Sequence, residues 1–165
     1  MLRRLSLATF LLPLTRFFAR AKVSGLENPA DLTRPVMFAA NHQSYLDALV
    51  ILASLPECWR HRIAPVMWKE LFGAHFHSER HVPSARWANS ALYYLVTLLG
   101  NAFPIPQTER GARESMGELV EEGWSILIFP EGERTLTGEV GRFLPGVGLM
   151  AAEGFGYCRM RSRQR

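Results

Sequence analysis

The sequence contains little cysteine, no long uncharged run at its apolar N-terminus and no serine-nucleophile motif. Its 165 residues include two cysteines, Cys58 and Cys158, whose separation fits no metal-ligand spacing and indicates no disulfide framework. The longest uncharged run of the N-terminal stretch is the 11 residues at 5–15, whereas about 20 apolar residues are needed to span a bilayer. The Gly-x-Ser-x-Gly turn of serine hydrolases is absent. These absences argue against a disulfide scaffold, an N-terminal spanning helix and a serine hydrolase.

Acidic residues are missing from both ends of the chain. Residues 1–22 carry five basic residues and no acid, and residues 159–165 carry four arginines. Removing these nine from the 19 Lys and Arg leaves ten against 15 Asp and Glu, so the region between has a formal charge of −5 although the whole chain has +4. Nucleic-acid binders typically have a basic stripe across the folded body. The distribution therefore favours a membrane surface over nucleic acid, with RNA contact by the basic end as the alternative.

The first 22 residues combine apolar and basic side chains. Leucines and phenylalanines suit the headgroup boundary of a membrane, the basic residues suit anionic lipid, and Pro13 is expected to bend the segment. We therefore predict a membrane-interfacial amphipathic segment at residues 1–22. A secretory signal is the alternative, because the basic start, the apolar centre and residues 19–21 resemble one. Arg16, close to the presumed cleavage site, argues against it.

Short apolar runs alternate with helix signals, which predicts a single α/β domain with a mostly parallel sheet flanked by helices. The predicted strands are residues 22–24, 36–40, 62–67, 102–105 and 125–129. The predicted helices are residues 44–55, 68–74, 86–99 and 112–122. Residues 91–99 are apolar on nearly every helical face, so they predict a buried helix. This domain occupies residues 23–153, and residues 154–165 are expected to form a solvated basic tail.

His42 and Asp47 follow a short apolar run, residues 36–40, that is typical of a strand buried on both faces. Ser44 and Asp47 form a helix-start signal, with Ser44 as the predicted N-cap. Residues five apart on one helix point about 140° away from each other, so the two side chains meet only if His42 stays in the loop. Asp47 would then orient one imidazole nitrogen, leaving the other to take a proton from a hydroxyl. The alternative is a capping acid beside a polar loop residue.

Glu131, Gly132 and Arg134 follow a second apolar run, residues 125–129. If both runs are strands of one parallel sheet, His42 and Glu131 emerge at the same carboxyl edge, where open α/β sheets bind ligands. Gly132 allows the backbone to approach a ligand closely, and the planar guanidinium of Arg134 can bind a phosphate or carboxylate. The alternative is an ordinary turn with Arg134 as a surface ion partner.

These two segments carry a family resemblance. The chain resembles the glycerolipid acyltransferases of the lysophosphatidic acid acyltransferase type, which have an Asn-His-x-x-x-x-Asp block, here residues 41–47, and a Phe-Pro-Glu-Gly-x-Arg block, here residues 129–134. Three shorter segments are also similar to the family: residues 23–28, 69–71 and 143–146. The resemblance covers residues 23 to about 153.

The resemblance implies an O-acyltransferase that moves a fatty acyl group from acyl-CoA or acyl-carrier protein to the hydroxyl of a lysophospholipid such as 1-acylglycerol-3-phosphate. His42 would be the catalytic base and Asp47 its orienting partner. Glu131, Gly132 and Arg134 would bind the acceptor. The acyl thioester is the co-substrate, and no further cofactor is implied.

The chain departs from the family pattern at two positions of the expected acceptor region. Gln107 stands where an arginine is expected, and Leu144 stands where a basic residue is common. Each change removes a cation that would neutralise a phosphate, and Arg110 is the predicted substitute. The family also continues into further sheet elements, so a truncated chain whose sheet ends at an unpaired edge is expected.

Two other function classes fit the same residues. One is an inactive membrane- or lipid-binding module produced by truncation, and the other is an acyl-thioester hydrolase that uses water in place of the acceptor. In each case we expect a peripheral membrane protein at the cytoplasmic face, and the two cysteines are compatible with a reducing compartment.

A histidine cluster offers an alternative that we do not favour. His75, His77 and His81 lie near Glu79, and the i, i+4 pair His77 and His81 has a spacing that can hold a transition metal on a helix. A polar surface helix or loop explains the same residues. We therefore predict no metal site.

Overall fold

The structure, a computed structural model, describes residues 9, 12–18, 23–26, 32, 35–44, 46–77, 82–135, 137, 139–152 and 156–160. The strands are β1 Val36–Ala40, β2 Ile63–Trp68, β3 Phe103–Ile105, β4 Ser125–Ile128 and β5 Gly156–Met160. The helices are α1 Leu12–Phe18, α2 Asp47–Ser54, α3 Glu57–Arg60, α4 Gly73–Phe76, α5 Pro83–Gly100, α6 Glu109–Glu121 and α7 Pro145–Ala152, with a 3₁₀ helix at Lys69–Phe72. The strands form one sheet in the order β3-β2-β4-β1-β5. Every neighbouring pair is parallel, so the predicted α/β class with a mostly parallel sheet is confirmed.

The sheet buries both of its faces because its central strands are continuously apolar. All five residues of β1 are buried, and Phe38 of β1 lies opposite Leu127 of β4. Phe38 packs with the Trp59 ring at a centroid distance of 5.3 Å on the face covered by α2 and α3. The adjacent Met37 points to the other face, where it joins the cluster that includes Leu119 of α6. This alternation along β1 produces two apolar layers, as expected for a parallel sheet between helices.

Parallel pairing sets the location of the candidate site. Because β1 and β4 are neighbours and run in the same direction, the loops that follow Ala40 and Ile128 leave the sheet at the same edge. The strands β4 and β2 separate β1 from β3, so the loop after β3 leaves the sheet about three strand spacings away, or roughly 14 Å.

The strand predicted at residues 22–24 is wrong for the two residues that are described. Val23 and Ser24 belong to no strand, and Gly25 has φ 78°, a left-handed conformation that ends an extended segment. Lys22 lies outside the described residues. The position beside β1 is taken by β5, whose Gly156 pairs with Val36. The basic tail predicted at residues 154–165 is therefore wrong over Gly156–Met160, because the outer edge of β1 pairs with this segment; residues 154, 155 and 161–165 lie outside the described residues.

The prediction that residues 91–99 form a buried helix is wrong. These residues belong to α5, which packs against α4 and the 3₁₀ helix on one side only. Trp87 is 79% exposed and Leu98 is 63% exposed, and Leu92, Tyr94 and Leu95 are exposed as well. An apolar circumference does not bury a helix when its neighbours cover a single face.

The helix α1 is the described part of the predicted interfacial segment. It packs against α2, with Leu12 buried and Phe17 exposed. Pro13 lies in its first turn, where the missing N–H breaks no helical hydrogen bond. Among the described residues, no helix is both long and apolar enough to cross a membrane.

Candidate active site

His42 and Asp47 meet at the carboxyl end of β1. His42 lies in the loop after β1, and Asp47 is the first residue of α2. The His42 Nδ1 atom is 3.2 Å from Asp47 Oδ2. The Asp47 side chain is 0% exposed, whereas the His42 side chain is 21% exposed. The structure thus brings together the two residues predicted to form a pair, with the carboxylate behind the imidazole and the imidazole reaching solvent.

The Asp47 carboxylate is held by its own loop. Its Oδ2 atom accepts the N–H groups of Gln43 and Ser44, each at 2.7 Å. Burial alone raises the pKa of Asp47, but the hydrogen bond from His42 and these two N–H groups outweigh it and hold the pKa below its usual value of 3.8. An ionised Asp47 accepts a hydrogen bond from the Nδ1–H group of His42. The proton of a neutral His42 is therefore on Nδ1, and Nε2 is the basic nitrogen.

The predicted Ser44 N-cap is wrong. The N-cap of α2 is Leu46, which makes no side-chain capping hydrogen bond. Ser44 lies one turn earlier, where its hydroxyl accepts the Leu46 N–H at 3.2 Å and its carbonyl accepts the Asp47 N–H at 3.1 Å. The chain makes a tight turn before α2 begins, and this turn allows His42 and Asp47 to face each other.

The loop after β4 contacts His42 from the opposite side. The Phe129 ring stacks on the His42 ring at a centroid distance of 4.1 Å and an interplanar angle of 22°. The Glu131 Oε1 atom accepts the backbone N–H of His42 at 3.2 Å. Thr135 donates its N–H to the His42 carbonyl at 2.8 Å and its hydroxyl to the same oxygen at 3.2 Å. The shared sheet edge predicted for His42 and Glu131 is therefore observed.

The Glu131 carboxylate is buried at this sheet edge. The residue is only 9% exposed, and its Oε2 atom is buried with no hydrogen-bond partner among the described residues. A Cβ atom added to Gly141 would lie 3.0 Å from Oε2, so Gly141 covers this oxygen. The carboxylate thus faces the His42 backbone and is shielded from a ligand in this arrangement.

Position 132 requires a glycine because of its backbone conformation and because Leu144 lies close to it. It has φ 72°, and a Cβ atom would lie 2.8 Å from Leu144 Cδ1. The Gly132 carbonyl accepts the Trp68 indole N–H at 3.3 Å, which joins this loop to the end of β2. Arg134 is exposed in the same loop, directly before Thr135. Gly132 and Arg134 therefore belong to the loop whose Phe129, Glu131 and Thr135 contact His42.

The structure does not bring Gln107 and Arg110 to this group. Both follow β3, which β2 and β4 separate from β1. The Gln107 backbone N–H donates to Glu70 Oε1 at 3.2 Å, and Arg110 forms an ion pair with Glu114 at 2.8 Å. Their predicted role in binding the acceptor rests on the family resemblance and stays a prediction.

Two residues near His42 were missed as functional candidates. Phe129 stands at the end of an apolar run and was assigned to a strand, although it also forms one wall of the site. Thr135 follows the Phe-Pro-Glu-Gly-x-Arg block and belongs to no motif of its own.

The histidine cluster noted in the sequence is only partly described. His75 forms a hydrogen bond with Ser90 Oγ at 2.8 Å and stacks on Tyr93, and His81 lies outside the described residues. Among the residues that the structure describes, no group of three or more His, Cys, Asp or Glu side chains can hold a metal ion.

Comparison with known proteins identifies the family. The acyltransferase family model matches residues 20–158. The chain belongs to the acyltransferase family. It is 27% identical over 140 residues to the chloroplastic 1-acyl-sn-glycerol-3-phosphate acyltransferase BAT2 of Brassica napus and covers 35% of that protein. It is 26% identical over 140 residues to the corresponding Arabidopsis thaliana protein, LPAT1, and covers 33% of it. Each match includes 82% of this chain.

The acyltransferase fold is also seen in a solved structure. The 1-acyl-sn-glycerophosphate (LPA) acyltransferase PlsC of Thermotoga maritima superposes with a TM-score of 0.56 and 23% sequence identity. The match covers 95% of this chain and 57% of that chain. The chain thus spans about a third of the length of the two plant relatives and somewhat over half of the solved protein.

Proposed function

We propose that this chain is the catalytic part of an O-acyltransferase that transfers a fatty acyl group from acyl-CoA or acyl-carrier protein to the hydroxyl of 1-acylglycerol-3-phosphate, in phospholipid biosynthesis. Membership of the acyltransferase family and the names of the plant relatives support the reaction and the acceptor. The single observation that carries the proposal is the 3.2 Å contact between the His42 ring and the buried Asp47 carboxylate.

In the proposed reaction, Nε2 of His42 takes the proton from the acceptor hydroxyl. The resulting oxygen attacks the thioester carbonyl and forms a tetrahedral intermediate. The C–S bond then breaks, and the imidazolium returns its proton to the departing thiolate. Asp47 stabilises the imidazolium, because its carboxylate stays ionised and is held in place by two backbone N–H groups. The reaction requires no protein nucleophile and no cofactor besides the acyl thioester.

Arg134 is the residue that we assign to the acceptor phosphate. Its guanidinium is carried by the loop that holds His42 from the other side, and a bidentate contact from this position would orient the glycerol hydroxyl. Gly132 shapes the loop that carries Arg134, since a larger residue would collide with Leu144. Gln107 and Arg110 are not part of this proposed subsite.

Thiol release from acyl-CoA and from acyl-carrier protein, each measured with and without 1-acylglycerol-3-phosphate, tests the proposal. An acyltransferase releases thiol only when the acceptor is present and forms diacylglycerol phosphate in equal amount. Release without acceptor would show a thioester hydrolase, and absence of release with either donor would leave a lipid-binding module. The ratio of the two donor rates identifies the donor. His42→Ala is the control for background hydrolysis.

We also propose that the protein attaches peripherally to the cytoplasmic face of a membrane. The five basic residues among residues 1–22 suit the anionic lipids of that leaflet, and the exposed Phe17 of α1 is available to the headgroup boundary. A lysophospholipid acceptor resides at such a surface, so attachment would bring the site to its substrate.

A further inference from the structure

The backbone of His42 is held from the loop after β4. Its carbonyl oxygen accepts two hydrogen bonds from Thr135, one from the backbone N–H at 2.8 Å and one from the hydroxyl at 3.2 Å. Its N–H donates to Glu131 Oε1 at 3.2 Å. His42 lies outside any helix or strand, so these contacts replace the hydrogen bonds that regular structure would supply.

We propose that Thr135 is a positioning residue whose hydroxyl fixes the His42 backbone and, through it, the imidazole. This inference rests on the proposed acyl transfer, in which His42 is the base. Thr135 contacts His42 only on the carbonyl side of the peptide, whereas Asp47 and Phe129 contact the ring. Thr135 therefore acts on the backbone of the base, whereas Asp47 and Phe129 act on its ring.

The hydroxyl adds a constraint that the backbone N–H alone does not supply. A carbonyl oxygen has two lone pairs, and Thr135 occupies both from one residue, which fixes the direction as well as the distance of the contact. The β-branched side chain has few χ1 rotamers, so the hydroxyl is held ready for this bond. A general base must lie within about 2.6–3.2 Å of the proton that it takes. A small displacement of His42 therefore lowers the rate without preventing substrate binding.

The test compares four forms of the full chain: wild type, Thr135→Val, Thr135→Ser and Thr137→Val. Valine keeps the shape and the backbone N–H of Thr135 and removes only the hydroxyl. We expect Thr135→Val to lower kcat roughly 5-fold with unchanged KM for donor and acceptor, and Thr135→Ser to restore most of the rate. Thr137→Val is the matched control, because Thr137 is exposed in the same loop and its hydroxyl accepts the Glu139 N–H. It should have the wild-type rate.

A second measurement does not depend on activity. The Nδ1–H of His42 is donated to Asp47, and its signal can be followed by ¹⁵N-edited NMR. We expect its exchange with water to become severalfold faster in Thr135→Val and to return toward the wild-type rate in Thr135→Ser. If wild type shows no acyl transfer, the proposed function fails and this measurement alone decides the positioning role.

Three results would overturn the inference. The first is a Thr135→Val variant with wild-type kcat and wild-type Nδ1–H exchange. The second is a rise in acceptor KM with unchanged kcat, which would place Thr135 in substrate binding. The third is a loss that Thr135→Ser does not restore and that follows a lower melting temperature, which would show a structural role only.

Discussion

The Oδ2 atom of Asp47 accepts hydrogen bonds from the His42 ring and from the N–H groups of Gln43 and Ser44. The same atom thus closes the turn before α2 and holds the proposed base. The amide oxygen of an asparagine has two lone pairs, so Asp47→Asn removes the charge while keeping an acceptor for two of these bonds, enough for the N–H groups of Gln43 and Ser44. This substitution separates the electrostatic role of Asp47 from its structural role.

The lowered pKa of Asp47 predicts a pH dependence of stability. Because the folded-state pKa lies below the usual value of 3.8, the ionised carboxylate stabilises the fold above that pH, and the stabilisation is lost as pH falls through the folded-state pKa. The difference in unfolding free energy between wild type and Asp47→Asn should be present at about pH 5 and shrink as the pH falls below about 4. Urea denaturation across this range measures it. A difference that stays constant to pH 2 would contradict the assignment.

Glu131 allows a test of what its carboxylate contacts. Glutamine retains an oxygen that accepts the His42 N–H, whereas alanine does not. If Glu131 acts through His42, Glu131→Gln should keep kcat within about 3-fold and Glu131→Ala should lower it by about 10-fold or more, with little change in acceptor KM. Steady-state kinetics of both variants supply the measurement. A large rise in acceptor KM for Glu131→Gln would instead place the carboxylate on the substrate.

At the scale of elements, the sequence predicted four of the five described strands to within one residue at each end and missed the edge strand β5. The strand predicted at residues 36–40 matches β1, and the one predicted at 125–129 differs from β4 by one residue. Buried strands are read from continuous apolar runs, and these two have such runs. The strand β5 was missed because its pairing with β1 is a long-range contact, and α7 was missed because glycine interrupts its helical pattern.

The contacts of the candidate site were also predicted only in part. A strand end followed by a helix start predicted that His42 and Asp47 meet, and parallel pairing predicted Glu131 beside them. The contacts of Thr135 were not predictable, because they depend on how the loop after β4 folds back on His42. The distance of Gln107 and Arg110 from His42 was not predictable either, since it depends on the strand order that places β3 at the far side of β2 and β4.

The exposed face of α5 predicts which apolar residues stabilise the fold. Trp87 is exposed on α5, whereas Leu119 of α6 is buried beneath the sheet. Leu119→Ala should lower the free energy of unfolding by about 2–5 kcal/mol, and Trp87→Ala should change it by no more than about 0.5 kcal/mol. Chemical denaturation of the two variants gives the comparison. A large loss from Trp87→Ala would contradict the exposure of this face of α5.

At the scale of the whole molecule, the two ends differ from the folded body in charge. If residues 1–22 contact the membrane as proposed, changing their five basic residues to glutamine should lower the affinity for anionic liposomes at least 100-fold, as measured by sedimentation. Each charge contributes about 1 kcal/mol to binding at such a surface. Substitution is preferable to deletion because α1 packs on α2. Changing Arg161, Arg163 and Arg165 to glutamine is the matched control and should have a much smaller effect. Equal losses from the two ends would show a nonspecific charge effect.

The central claim is that His42 and Asp47 act as one unit in acyl transfer, and a double-mutant cycle tests it most directly. The turnover of wild type, His42→Ala, Asp47→Asn and the double variant is measured with 1-acylglycerol-3-phosphate and the preferred acyl donor. His42→Ala should lower kcat by about 10²–10⁴-fold. Asp47→Asn should lower it by about 100-fold or more, because the amide cannot stabilise an imidazolium. The double variant should lose little beyond His42→Ala alone, since coupled catalytic groups are not additive. Normal turnover in Asp47→Asn, or losses that multiply in the double variant, would contradict the pair and leave Asp47 as a residue that only shapes the turn before α2.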